Sequence, residues 1–250
     1  RDLHLSLRRQ RQMCIRDRSR KFVKINELRD SGIDPVILDA GDLFFSTSRL
    51  SEKNRDSEYY RAGLILDGYE KIGCDAINVG HYELAAGLPF LKKMDTECDI
   101  PFISANLRDA GTGELLFDPY VIIERTGLKI GIVGVTAMKP DTMKAVSADD
   151  YKTAGNQAID QIKHEVDMIA VLVNIERGPQ QSLPGTFAEA DFIYTSGSTH
   201  LTRPTNSQKE GGPYLYSALG MIHPIRVGAS RNGLRTRTHP VSYTHLRAHE

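Results

Sequence analysis

Asp75–Leu91 reads DAINVGHYELAAGLPFL, and the reading of this stretch decides the fold. Its opening apolar run, Ala76-Ile77-Asn78-Val79, is too short for a helix and is bounded by Gly80, which marks a buried strand. The chain then turns through Gly80-His81-Tyr82-Glu83, where three consecutive side chains can bind metal or move protons. Gly87 and Pro89 punctuate the entry into the helical segment LPFLKKM. Open α/β sheets place their active sites at the carboxyl ends of buried parallel strands. An earlier run, Pro35–Phe45 (PVILDAGDLFF), repeats the design with a sharp Gly-Asp turn that carries Asp42. If the two strands are neighbours, their acids and imidazole meet in one site.

Working outward, residues 19–31 space Phe22, Ile25 and Leu28 at helical intervals and stop at Gly32. A strand is expected over 35–41, a polar loop over 46–57, and a helix over 58–72 that ends at Gly73. Strand 75–79, a helix near 87–95 and a short strand at 101–104 follow. This alternation predicts a parallel sheet with right-handed crossovers. Tyr120–Arg125 and Leu128–Thr136 flank Thr126-Gly127 as a β-hairpin. A helix over 150–165 precedes strands at 167–173 and 190–194, and two antiparallel strands are expected at 213–220 and 223–229. The fold class is therefore α/β, with two mixed β-sheets packed together and flanked by helices.

The chain has 250 residues, 26% of them charged and 40% hydrophobic, enough for one sizeable core. Its formal net charge is zero, so composition offers no reason to expect nucleic acid or an anionic membrane as partner. The longest apolar runs, six to eight residues, are too short for a transmembrane segment. Cys14, Cys74 and Cys98 match no zinc spacing and build no disulfide framework. Residues 1–18 (RDLHLSLRRQRQMCIRDR) and 241–250 (VSYTHLRAHE) resemble translated sequencing-adapter sequence and are expected to be non-native tails around a domain at 19–240. A basic disordered tail is the alternative reading of residues 1–18.

Several matches in order resemble the calcineurin-like metallophosphoesterases, in particular their 5′-nucleotidase and UDP-sugar hydrolase branch. They are LDAGDLFF (38–45), GCDAINVG followed by AAGLPFL within 73–91, PFISANL (101–107) and KIGIVGVT (129–136). The resemblance implies a four-layer sandwich and a site for two divalent metal ions (Mn, Zn or similar) bridged by one carboxylate. It also implies hydrolysis of a small phosphorylated substrate, a phosphate monoester or nucleotide-like molecule. Relatives in this branch are often exported to the periplasm or beyond, and they often carry a C-terminal substrate-binding domain. Oxygen donors together with imidazoles suit such ions.

Carried over block by block, the family's Asp-x-His on its first strand has no match here, and that strand is expected to be missing. Asp42 matches the bridging carboxylate of Gly-Asp. In Gly80-His81-Tyr82-Glu83, His81 stands at the family's metal-binding Asn and Tyr82 at its catalytic His. Glu83 reads as a residue behind the ligands that orients them. Asn174 occupies the place of the later metal-binding His. In the final Gly-His-x-His block, Ser198 replaces the first His as a weak ligand and His200 keeps the second, in a register uncertain by one residue.

Two readings follow from these departures. In the first, His81 and Asn174 have exchanged roles and a metal-dependent phosphoesterase survives. In the second, the metal site has decayed and the domain is a non-catalytic scaffold or binding module. A phenol gives up its proton far less readily than an imidazolium, so Tyr82 replaces a catalytic His poorly as a general acid. Asp42 could otherwise be a plain turn residue, and His200 a surface one. His164 and His223 read as surface histidines, and Asn106 as a residue that satisfies backbone groups in a turn. GIVGVT (131–136) lacks the G-x-G-x-x-G spacing of a dinucleotide site.

Overall fold

The computed structural model describes residues 22–45, 47, 49–138, 143–176, 178–197, 206–208 and 212–217. The chain divides into a unit at Val36–Leu219 and a second unit that takes in the residues before Val36. In the second unit, helix α1 spans 22–30 and closes on Gly32. There the Gly32 N–H donates to Arg29 O (2.9 Å) and the Ile33 N–H to Leu28 O (3.0 Å). These are the two bonds of a glycine-terminated helix end. The expected strand 223–229 and both expected tails lie outside the described residues.

The larger unit is built on two sheets. Strands β1 (Leu38–Asp39), β2 (Ala76–Asn78) and β3 (Phe102–Ile103) form a parallel sheet in the order β1-β2-β3. The neighbouring strands required by the Asp42 and His81 turns are therefore present. Strands β5 (Tyr120–Arg125), β6 (Leu128–Thr136), β8 (Met168–Asn174), β9 (Phe192–Ser196), β10 (Asn206–Gln208) and β11 (Tyr214–Ser217) form the second sheet. Its order is β10-β11-β9-β8-β6-β5. It is mixed: β6, β8, β9 and β11 run parallel, and β5 and β10 are antiparallel edges. The first sheet is parallel throughout its described strands, so the expectation of two mixed sheets holds for one. A small antiparallel pair, β4 (Leu107–Asp109) with β7 (Val146–Ala148), was not foreseen.

Side-chain alternation explains the layering. Ala76, Ile103, Ile132 and Leu172 are buried between the two sheets, with Leu38, Val121 and Ile123 packed around them. The alternate residues of β6 and β8, Val133, Val135, Ile169, Val171 and Val173, face the other way. They meet Ala158, Ile159 and Ile162 of α4 (Tyr151–Ile162) and Leu183 of α5 (Leu183–Thr186). All seven residues of β8 are buried, as a central parallel strand requires. Helices α2 (Arg55–Ile72) and α3 (Leu88–Glu97) make the connections from β1 to β2 and from β2 to β3. The Tyr69 hydroxyl donates to Asp39 Oδ2 (2.9 Å), and the Tyr59 ring stacks on Phe90. Each fully buried Ile or Leu contributes on the order of 1.5–3 kcal/mol.

Boundaries differ where backbone partners are taken by side chains. Strand β1 is two residues long rather than the expected 35–41, because Pro35 has no N–H and the Ile37 N–H goes to Asp75 Oδ2 (2.8 Å). Helix α2 starts at Arg55, three residues early, with Asp56 and Glu58 complementing its first turn. The hairpin is as read: Thr126 (φ 52°) and Gly127 (φ 78°) form a two-residue turn with both φ positive, and Arg125 pairs with Leu128. Strand β11 pairs in parallel with β9, and its antiparallel partner is β10.

Candidate active site

The carboxyl ends of β1 and β2 bring the two signature turns together. Gly41 and Gly80 pack backbone to backbone. A Cβ on Gly41 would lie 2.8 Å from Gly80 Cα, and one on Gly80 would lie 2.6 Å from Asp42 N. Neither space admits a side chain. Asp42 itself has φ 63°, a left-handed conformation uncommon outside glycine and among the backbone outliers that collect at functional sites. Its Oδ1 accepts the Tyr82 N–H (2.8 Å), so the Asp42 carboxylate fixes the turn that follows β2.

Glu83 closes the pair of turns from the inside. It is 1% exposed. Its Oε2 accepts the N–H groups of Asp42 (2.7 Å) and Gly80 (2.9 Å), and Oε1 accepts those of Leu43 (2.6 Å) and Phe44 (3.1 Å). Glu83 thus joins both turns through their backbone N–H groups and does not line the cleft described below. Burial, and then the charge of Asp42, push its carboxyl up to about 8 against the opposing backbone donors.

The second sheet meets these turns through a polar seam. Asn78 is fully buried, and its Nδ2 donates to Ala40 O (3.0 Å) and Val135 O (3.1 Å). The Thr136 hydroxyl donates to Val79 O. Asn174, also fully buried, accepts the His81 N–H at Oδ1 (2.9 Å) and donates from Nδ2 to Ser196 Oγ (2.8 Å). Ser196 Oγ in turn donates to Ala40 O (2.6 Å). Asn106 satisfies backbone groups as expected: it accepts the Thr136 N–H and donates to Thr136 O and Asp149 O.

Above the seam lies a cleft of about 530 Å³ lined by Asp42, His81, Tyr82, Tyr151, Glu176 and Gly197, among others. Asp42, His81 and Tyr82 therefore share one cavity. The His81 and Tyr82 rings lie 5.1 Å apart. His81 Nδ1 is buried and has no hydrogen-bond partner among the described residues. Gly197 ends β9 at φ 111°, where a Cβ would fall 2.3 Å from Ile175 O, so the turn after β9 requires glycine there. Ser198 and His200, the two remaining expected ligands, lie outside the described residues.

Tyr151 and Glu176 are cleft residues that the motif reading did not single out as site residues. Tyr151 follows the Asp150 N-cap of α4, and Glu176 lies two residues beyond Asn174 at the end of β8. Only their place at element ends signals them. His164 lines a separate shallow cavity of about 310 Å³ with Lys163, Asp167, Glu189 and Asp191, clear of the cleft.

Among the described residues no group of three or more His, Cys, Asp or Glu side chains is placed to hold a metal ion. Asp42 and His81 both line the cleft, and their donors, a carboxylate and an unpartnered imidazole nitrogen, are of the kind that suits a divalent ion. Also among the described residues, no helix is long and apolar enough to cross a membrane.

No family model matches the chain. A 5′-nucleotidase of Vibrio parahaemolyticus is 28% identical over 185 residues, covering 68% of this chain and 32% of the relative. The chain spans a quarter to a third of the length of such curated relatives. The sulfate thiohydrolase SoxB of Thermus thermophilus superposes with a TM-score of 0.62 at 20% identity, covering 78% of this chain and 35% of that one. The calcineurin-like phosphoesterase YfkN of Bacillus subtilis superposes with a TM-score of 0.56 at 22% identity, covering 72% and 62%. The chain thus has the calcineurin-like phosphoesterase fold and is related in sequence to the 5′-nucleotidase branch of that family.

Proposed function

We propose that this phosphoesterase-family domain binds a divalent ion through Asp42 and His81 and hydrolyses a phosphate monoester or nucleotide-like substrate in the 530 Å³ cleft. The observation that carries the reading is the pairing of the two turns. Interlocked glycines and the buried Glu83 carboxylate hold Asp42 in a left-handed conformation beside the His81 turn. That geometry is costly to build, on the order of 1–3 kcal/mol for the strained residue alone, and it serves to aim a carboxylate.

A divalent ion held by Asp42 and His81 would supply Lewis-acid chemistry toward a phosphoryl oxygen. The chain's own groups do the rest. Asp42 and His81 anchor and orient. Tyr82 lines the same cleft, and in this reading its hydroxyl gives a proton to the leaving oxygen. Tyr151 also lines the cleft, and Glu176 adds negative charge that favours a cation over a bare anion.

That no three His, Cys, Asp or Glu side chains among the described residues are placed to hold a metal favours one rival, a non-catalytic binding domain with a decayed site. Assay of a generic phosphate monoester with Mn²⁺ separates the two. Metal-dependent turnover that is lost in Asp42→Asn supports the enzyme. Absent turnover with the fold intact supports the scaffold.

A further inference from the structure

We propose that Asn174 is a positioning residue for His81, acting as a latch between the two sheets rather than as a ligand. Both ends of its amide are engaged. Oδ1 accepts the His81 N–H (2.9 Å) and Nδ2 donates to Ser196 Oγ (2.8 Å), whose proton goes on to Ala40 O (2.6 Å). This chain begins at the end of β1, crosses to β9 and β8 in the facing sheet, and returns to the turn after β2. It runs beneath the cleft: His81 lines the cavity, whereas Asn174, which is fully buried, and Ser196 do not. The backbone of His81 is thereby fixed from below while its Nδ1 is left without a hydrogen-bond partner among the described residues.

Amide chemistry supports the latch. A carboxamide offers an acceptor at one end and a donor at the other, which matches the two partners that Asn174 faces. A neutral imidazole also has one acceptor and one donor, but on ring atoms at different reach from the backbone, whereas both amide atoms of Asn174 are borne on Cγ. A His at residue 174 and the present Ser196 link are therefore alternative designs. Ser196 is part of the same device, since its hydroxyl accepts from Asn174 and donates to Ala40 and so carries the link across the sheets.

The inference rests on the proposed metal site only for its affinity arm, so the two can fail separately. The test compares the full chain with Asn174→Ala, Ser196→Ala, the double variant, and Asn174→Asp, which keeps the acceptor for the His81 N–H. The first readout is the His81 imidazole resonance, assigned by its loss in His81→Ala. It needs no metal. Both single variants are expected to shift or broaden that resonance, the double variant to do no more than either single one, and Asn174→Asp to restore it. The second readout is Mn²⁺ affinity, expected to weaken about 10–100-fold in each single variant, the range for residues that orient a ligand. The latch is overturned if Ser196→Ala leaves both the resonance and the affinity at parental values while Asn174→Ala weakens metal binding. That pattern makes Asn174 a ligand. It is equally overturned if neither substitution moves the His81 resonance. If no variant and no parent binds Mn²⁺, the metal reading fails while the resonance still decides the latch.

Discussion

Gly80→Ala is the sharpest perturbation of the interlocked turns. The added methyl would sit 2.6 Å from Asp42 N, 2.7 Å from Glu83 Oε2 and 2.8 Å from Asp42 Oδ1. The Asp42 backbone cannot swing aside as the end of a flexible side chain can. Overpacking of this kind costs roughly 1–3 kcal/mol. Separating the turns also stretches the bonds from Asp42 N and Gly80 N to Glu83, each worth about 0.5–1.5 kcal/mol. With partial relaxation the expected loss is about 2–5 kcal/mol, a large share of the 5–15 kcal/mol typical of a domain. Urea unfolding measures it, with Gly63→Ala as control. Gly63 lies inside α2 with nothing within 4 Å of its would-be Cβ, so that substitution is expected to stabilise by about 0.5–1 kcal/mol. A Gly80→Ala protein within about 1 kcal/mol of the parent would refute the interlock.

The remaining expectations concern protons and caps. Because burial and Asp42 raise Glu83 from its ordinary 4.5 to about 8, the folded state holds a proton there that the unfolded chain has released. Stability should therefore fall as pH rises from about 4.5 to about 8, and Glu83→Gln should flatten that slope; an unchanged slope contradicts the assignment. Asp150 caps α4 by accepting from the Thr153 N–H (2.9 Å) and hydroxyl (2.8 Å), which hold its carboxyl below the usual range. Asp150→Ala should cost about 0.5–2 kcal/mol at neutral pH, and the difference should vanish as acid protonates the cap. Burial, first of all, raises the Cys74 thiol well above its ordinary range, so brief alkylation of the folded chain should label half-exposed Cys98 and spare Cys74, as peptide mass spectrometry would show.

Much of this architecture was legible because its signals are local. The strand-turn at 75–83 and its echo at 35–45 could be read from apolar runs broken by glycine, and the hairpin from Thr126-Gly127. The division of β8 between two cores could not. All seven of its residues are buried, and a continuous apolar run carries no record of which neighbour covers which side. Strands β4 and β7 were missed because each is three residues long and made by pairing rather than by pattern. In the site, Asp42, His81, Tyr82 and Glu83 announced themselves by chemistry and spacing. Tyr151 and Ser196 did not, because a lone tyrosine at a helix start and a serine at a strand end become informative only when folding brings them 69 and 115 residues back to Tyr82 and His81.

Titration of the full chain with Mn²⁺ by calorimetry, beside Asp42→Asn and His164→Ala, tests the central claim most directly. Binding to the parent that is abolished by Asp42→Asn and untouched by His164→Ala is the expected result. Equal binding by all three proteins, or none to the parent, would contradict a metal site at Asp42 and His81.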